Sequence, residues 1–185
     1  MKLLDLIGQR QSVRRYTDKP VEQEKLDRCL SAALLAPSAC NAQPWKFIVV
    51  NDPELVKLLA RETWNHIAPF NKFVEQAPVI IVITIEKSPL VPTLGKLIKD
   101  KDYPLIDIGI TAEHFCLQAT EEGLGTCMLG WYNEKAIQKL LEIPRNRRIG
   151  LLITLGYEPD DYRNRQKIRK DFKQVVTYNS YKGQK

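Results

Sequence analysis

Three arginines and a serine lie within six residues near the start of the chain, in the segment Arg10-Gln11-Ser12-Val13-Arg14-Arg15. Guanidinium groups bind phosphate oxygens through paired hydrogen bonds, a geometry that the lysine ammonium cannot match. Side chains at i, i+2 and i+4 of an extended segment point the same way. We therefore predict that Arg10, Ser12 and Arg14 converge on one phosphate, while Arg15 points elsewhere. Taken alone, these residues would also fit a solvated basic surface patch.

A second segment offers small and amide side chains where a predicted helix ends. Pro37 stops that helix and is followed by Ser38-Ala39-Cys40-Asn41 and then by Gln43-Pro44-Trp45. Small side chains let the backbone approach a planar ring, and the amide of Asn41 can both donate and accept at a polar ring edge. Without the first segment, an ordinary helix-to-strand connection would explain this one. Trp45 fits packing better than chemistry.

In this order, the two segments resemble those of the nitroreductase family, and the resemblance covers nearly the whole chain. It implies an FMN-dependent oxidoreductase. It implies Arg10, Ser12 and Arg14 at the ribityl phosphate and Gln11 among the cofactor-binding residues. Those that it implies against a flavin held mainly by the other subunit are Pro37, Ser38, Ala39 and Asn41.

The resemblance also assigns residues later in the chain. Asn71 stands where the family has an amide at the pyrimidine edge of the flavin, and Lys72 is a candidate second cation beside it. In the stretch Met128-Leu129-Gly130, a backbone N–H near the glycine would donate to flavin N5, which requires close approach. Larger family members often have Glu-Gly at the last two positions. Lys167 and Arg169 match the Lys-x-Arg pair that completes the phosphate site.

The implied chemistry needs no catalytic acid or base from the protein, and the sequence has no recognisable Ser/His/Asp or Cys/His arrangement. In such enzymes the cofactor carries the difficult chemistry. NAD(P)H delivers hydride to the flavin and leaves, and an electron-poor acceptor such as a nitroaromatic or a quinone then takes the electrons in a ping-pong cycle. Two alternatives stay open: reductive dehalogenation of aromatics on the same fold, and a flavin-binding module with little turnover.

Apolar periodicity and end signals predict alternating helices and strands. The helices are a short one ending near Gly8, one opening at Pro20 and Glu22 and stopped by Pro37, one capped by Asn51-Asp52-Pro53, and two over 105–122 and 134–141. The strands are 47–50, 79–85, 126–129 and 149–155. Because 79–85 is a continuous run of apolar residues apart from Thr84, we expect a central strand covered on both faces. The Pro- and Lys-rich stretch 86–104 is predicted to be a loop or lid.

This pattern predicts one α+β domain over residues 1–185. On the second helix, one buried face is expected from the spacing of Leu26, Cys29, Leu30, Ala33 and Leu34. The family resemblance implies a mixed, mainly antiparallel sheet flanked by helices in three layers. It also implies an intertwined homodimer, with a C-terminal arm, 157–185, extending toward the partner subunit.

Composition narrows the possible partners and the compartment. The 44% of hydrophobic residues suffice for a core, and no run approaches the roughly 18 apolar residues that span a bilayer. Without a signal-peptide pattern, we expect the cytoplasm and no membrane. Residues 145–185 hold eleven Lys/Arg and four Asp/Glu, but no groove-reading motif accompanies them, so nucleic-acid binding is not expected. The spacing of the four cysteines predicts neither a disulfide framework nor a zinc site.

Overall fold

A four-stranded sheet organises the part of the chain that the computed structural model describes, residues 2–66, 69–86 and 102–182. Its strands are β1 (Trp45–Val50), β2 (Val79–Ile85), β3 (Gly125–Leu129) and β4 (Arg148–Gly156). They lie in the order β1-β2-β4-β3, and each neighbouring pair is antiparallel. The predicted, mainly antiparallel sheet is confirmed. A single parallel contact joins Ser12 to Thr126 on β3.

The central strand β2 is apolar on both faces because both faces are covered. Ile81 and Ile83 pack into the core under one face of the sheet, and Ile80 and Val82 pack into the core under the other. Burying each isoleucine removes apolar surface from water and contributes about 1.5–3 kcal/mol. The continuous apolar run at 79–85 therefore gives a strand with two buried faces, as predicted.

Helices cover the sheet on both sides. They are α1 (Leu3–Gln9), α2 (Gln23–Leu34), α3 (Pro53–Arg61), α4 (Tyr103–Glu121), α5 (Glu134–Leu140) and α6 (Phe172–Val175). Residues of α2 and α4 share one core with the sheet, and residues of α3 and α5 share the other. This arrangement is the expected three-layer α+β fold.

The helices agree with the sequence predictions except in two respects, the start of α4 and the buried face of α2. Asp52 caps α3 by accepting from the backbone N–H of Leu55 at 2.8 Å. The helix α4, however, begins at Tyr103 and takes Pro104 into its first turn, where a missing N–H is tolerated. The predicted loop 86–104 is therefore wrong at its last two residues. Residues 87–101 of that loop lie outside the described residues.

The second difference concerns the buried face of α2. Leu26, Cys29 and Ala33 are buried, but Leu34, predicted to lie with them, is 56% exposed. At 100° per residue, Leu34 lies about 80° round the helix from Leu26 and on the side away from Cys29. The apolar pattern of α2 is thus wider than the face that the sheet and α4 cover. Cys29 and Trp45, both predicted to pack, are buried as expected.

After β4 the chain forms an arm that first turns back over its own N-terminal segment. Arg15 forms an ion pair with Asp161, the N–H of Arg14 donates to the hydroxyl of Tyr162 at 3.3 Å, and Lys167 donates to the carbonyl of Ile7. Beyond these contacts, the arm carries α6 and exposed apolar side chains. Among the described helices, none combines the length and apolar character required to cross a bilayer.

Candidate functional site

The arginine-rich segment is held in an extended conformation by the outer edge of β3. The N–H of Val13 donates to the carbonyl of Thr126 at 2.8 Å. Val13 itself is 1% exposed and lies against Gly125, where an added Cβ would stand 2.8 Å from a Val13 methyl group. Because Val13 points into the protein, alternation directs Ser12 and Arg14 outward.

These outward residues line a cavity of about 390 Å³ that both ends of the chain enclose. Its lining residues are Arg10, Gln11, Ser12 and Arg14 from the N-terminal segment and Arg165, Gln166, Lys167, Ile168 and Arg169 from the arm. Five of these nine residues are cationic and none is acidic. The structure thus brings together Arg10, Ser12, Arg14, Lys167 and Arg169.

The arginines of the N-terminal segment differ in whether their guanidinium groups already have a protein partner. Arg10 forms an ion pair with Glu113 of α4 at 3.4 Å, and its Nε is buried without a partner. Arg14 is exposed, and its guanidinium has no protein partner within the described ranges. Arg15, which was predicted to point elsewhere, lies 5.7 Å over the ring of Tyr162, outside the cavity lining.

The arm is fixed against this segment by Gln11 and Arg165. The amide of Gln11 donates to the side chain of Asn164 and accepts from the backbone N–H of Arg165 at 3.3 Å. The guanidinium of Arg165 donates to the carbonyl of Ser12 at 2.6 Å. Gln11, predicted to be a cofactor-binding residue, lines the cavity, and its side chain also holds the arm.

Sequence reasoning missed Arg165, although a signal was present. Arg165, Lys167 and Arg169 repeat the i, i+2, i+4 spacing of Arg10, Ser12 and Arg14. Only the last two were assigned to the site. Lys167 donates to the carbonyl of Ile7 at the end of α1, and Arg169 donates to the adjacent carbonyl of Ile168 at 2.8 Å.

The loop after α2 is exposed and has an unusual backbone. Residues Ala39–Asn41 form a short 3-10 turn in which Cys40 and Asn41 both have φ near 53°, and Gln43 follows with φ 45°. Pro37 and Asn41 are exposed, while Ser38 and Ala39 are half-buried. None of these residues lines the cavity of the same chain.

Asn71 and the segment around Gly130 lie next to each other. The amide of Asn71, 6% exposed, donates to the carbonyl of Trp131 at 3.2 Å. Gly130 is exposed, and a Cβ added there would meet no atom within 4 Å, so open space lies over its backbone. The rings of Phe70 and Trp131 lie edge-on beside it, with centroids 5.4 Å apart.

The side chains of the other predicted residues of this region pack against the protein. The side chain of Leu129 is buried in the core, so only its backbone is available to a ligand. Met128 is half-buried and packs against the opposite core. Lys72, the candidate second cation, lies 5.5 Å over the ring of Trp64.

Two thiols lie behind the arginine-rich segment but are not activated. Burial raises the pKa of Cys116 to about 11. Burial also raises the pKa of Cys127, although Arg14 and a hydrogen bond with Ser12 lower it in part. Both groups are therefore neutral thiols near pH 7, and the cavity has no thiolate nucleophile behind it.

Known proteins place the chain in one family. The nitroreductase family model matches residues 7–72 and 57–157, and the chain belongs to this family. A protein of Archaeoglobus fulgidus named "Putative NADH dehydrogenase/NAD(P)H nitroreductase" is 35% identical over 162 residues, which cover 85% of this chain and 86% of that protein. An iodotyrosine deiodinase of Thermotoga neapolitana is 27% identical over 182 residues, covering 87% and 91%.

Solved structures agree with this assignment. An FMN-dependent nitroreductase from Clostridium difficile R20291 aligns with a TM-score of 0.78 at 29% identity, over 97% of this chain and all of that chain (100%). The family resemblance inferred from the sequence, and the fold that it implied, are confirmed.

Proposed function

We propose that this protein is an FMN-dependent oxidoreductase that transfers electrons from NAD(P)H to nitroaromatic, quinone or similar electron-poor acceptors. The observation that carries the proposal is the cavity in which five cations from both ends of the chain surround a space without a carboxylate. A phosphate monoester carries close to two negative charges near neutral pH. Such a cavity suits that group better than a neutral ligand.

The donor set fits FMN in three respects. Arg14 lines the cavity with an exposed guanidinium that no described protein group occupies, so hydrogen-bonding capacity remains there. Asn71 has its amide fixed by Trp131. The open space over Gly130 leaves room for a planar ring beside an accessible backbone. We therefore assign the phosphate to the cavity and the ring to the region of Asn71 and Gly130.

In this proposal the protein binds and positions FMN and the acceptor, and FMN supplies the redox chemistry. When bound, FMN accepts hydride from NAD(P)H and passes electrons to the acceptor. Arg10, Arg14 and Arg165 offset the phosphate charge and fix one end of the cofactor. Phe70 and Trp131 offer exposed aromatic surface, which suits a flat aromatic acceptor.

We propose further that the active form is a homodimer. Three surfaces of the single chain are apolar and uncovered: helix α1, the end of α2 and the outer half of the arm. Their exposed side chains include Leu3, Leu4, Leu34, Leu35, Ile168, Phe172 and Val175. Apolar surface of this extent is typical of a protein–protein contact. A second copy would also bring another Pro37–Asn41 loop to the flavin. The cytoplasm stays a prediction from the sequence.

The visible spectrum and rapid reduction kinetics test the proposal. We expect purified protein to bind one FMN per chain. We also expect NADH or NADPH to bleach the bound flavin at least as fast as the enzyme turns over in the steady state. Bound flavin that neither nucleotide reduces would favour the binding module instead. Protein that holds no FMN at all would refute the proposal.

A second candidate, reductive dehalogenation of an aromatic, is favoured by the similarity to the Thermotoga neapolitana iodotyrosine deiodinase. Turnover of nitrofurazone and menadione can be compared with release of iodide from iodotyrosine under the same reducing conditions. Faster reduction of the first two compounds supports the main proposal. Stoichiometric iodide release with little nitro or quinone reduction supports the second.

A further inference from the structure

Asp107 is a buried carboxylate that lies outside the cationic cavity. It is 4% exposed on α4, and its Oδ1 accepts a hydrogen bond from the backbone N–H of Ala39 at 3.1 Å. One helical turn further along, the buried Thr111 donates to the carbonyl of Ala33 at 2.6 Å. Residues four apart lie on one face of a helix. This face of α4 thus bonds first to the loop after α2 and then to the end of α2.

The loop that Asp107 holds has a backbone that needs support. Cys40, Asn41 and Gln43 all have positive φ, which non-glycine residues adopt rarely. Such conformations persist when the surrounding structure fixes them. The hydrogen bonds of Gln43 to Ser38 and Asn41 lie within the loop itself. Among the described residues, the bond to Asp107 is the one side-chain hydrogen bond that ties residues 37–43 to another element.

We propose that Asp107 is a positioning residue for the flavin: it fixes the Ser38–Asn41 turn in the conformation that meets the ring. The inference rests on the proposed function. The carboxyl oxygen of Asp107 is a hydrogen-bond acceptor that suits the backbone N–H of Ala39. With the N–H of Ala39 held inward, the next two residues turn outward and present a small side chain and an amide.

Three variants distinguish an effect of Asp107 on the position of the Ser38–Asn41 turn from an effect on the stability of the whole fold. Asp107→Ala removes the acceptor, Asp107→Asn keeps an acceptor of the same shape, and Thr111→Val removes the neighbouring buried bond to α2. The dissociation constant of FMN, from flavin fluorescence, and the visible circular dichroism of the bound flavin are measured for each. Asp107→Ala should weaken FMN about tenfold or more, because the N–H of Ala39 then lacks its acceptor, and should change the flavin dichroism.

The other two variants define what overturns the inference. Asp107→Asn should restore FMN binding to within about threefold of wild type, and Thr111→Val should lower the midpoint of unfolding with a change in FMN affinity below about threefold. Wild-type affinity in Asp107→Ala would refute the inference. So would equal losses in Asp107→Ala and Thr111→Val, since the effect would then be general.

A fourth variant keeps the test decisive should Asp107→Ala not fold. Ala39→Pro removes the N–H donor and leaves Asp107 in place, and proline is common at the second position of a turn whose third residue has positive φ, as Cys40 does here. We expect the same loss of FMN affinity, with no further loss when Asp107→Asn is combined with it. Unchanged affinity in Ala39→Pro would refute the inference. Wild-type protein that binds no FMN would instead refute the proposed function.

Discussion

The side chain of Gln11 accepts a hydrogen bond from the backbone N–H of Arg165 at 3.3 Å, across 154 positions of the chain. Its other amide atom donates to Asn164. One neutral side chain therefore sets where the cationic residues of the arm stand relative to Arg10 and Arg14. Gln11 thus acts together with the bonds of Arg165 to Ser12 and of Lys167 to Ile7 in holding the arm's cations at the cavity.

Replacing Gln11 with alanine should weaken FMN binding without removing any charge. The two bonds that it makes to the arm are neutral, and each contributes about 1 kcal/mol, so a loss of about fivefold to thirtyfold is expected. Isothermal titration with FMN measures the effect. Gln9→Ala is the matched control, because Gln9 is an exposed glutamine two residues away whose side chain makes no hydrogen bond to the described residues of the arm. Equal behaviour of the two variants would contradict the role given to Gln11.

Arg14→Ala should lower FMN retention more than any change to Arg15. Arg14 lines the cavity with a free guanidinium, and loss of charged hydrogen bonds of about 1.5–3 kcal/mol corresponds to about 10- to 150-fold in affinity. Arg15→Ala removes the same group from a surface ion pair with Asp161 and should stay within about threefold of wild type. Flavin absorbance per chain after gel filtration compares them. Full occupancy in Arg14→Ala would remove this residue from the site.

Gly125→Ala should destabilise the fold by about 1–3 kcal/mol, because the added methyl group overlaps the Val13 side chain. Urea denaturation gives the change in unfolding free energy. Gly109→Ala is the control, since a Cβ there meets no atom within 4 Å and alanine favours the helix by about 1 kcal/mol. The contact between the arginine-rich segment and β3 would have to be revised if Gly125→Ala were as stable as Gly109→Ala.

Thiol labelling of FMN-free protein should find one accessible cysteine in the folded chain and four after denaturation. Cys40 is exposed, whereas Cys29, Cys116 and Cys127 are buried. Burial also raises the pKa of Cys29 to about 12 and that of Cys116 to about 11, so neither forms the reactive thiolate near pH 7. Mass spectrometry after brief treatment with iodoacetamide counts the labels. Cys40→Ser should carry none, and rapid labelling of a second site would contradict the burial described for the core.

The sequence predicts the elements well because each has a local signal. The run of apolar residues in β2 gives its exact bounds, and the Asp52-Pro53 pair begins α3. Pro104 was predicted to lie in a loop because proline is common in loops. Proline is also common in the first turn of a helix, and only the surrounding fold distinguishes the two cases. Leu34 was wrongly predicted to be buried, because apolar periodicity shows which residues could be buried but not how wide a face the neighbouring elements cover.

The cavity is predictable only in part. Arg10, Ser12 and Arg14 follow from alternation along an extended segment, which is a local property. Glu113 beside Arg10 and Asp107 beside Ala39 have no such signal, because their partners are distant in sequence and come together through packing of α4 against α2 and α1. The role of Gln11 is likewise set by the path of the arm.

The enclosure of one cavity by residues 10–14 and 165–169 has a consequence for how the chain matures. During synthesis the residues of all four strands, up to Gly156, emerge before the second group of cations. A nascent chain can therefore assemble its sheet while half of the cavity is still missing. Binding of an anionic ligand in this cavity therefore has to follow synthesis of the arm.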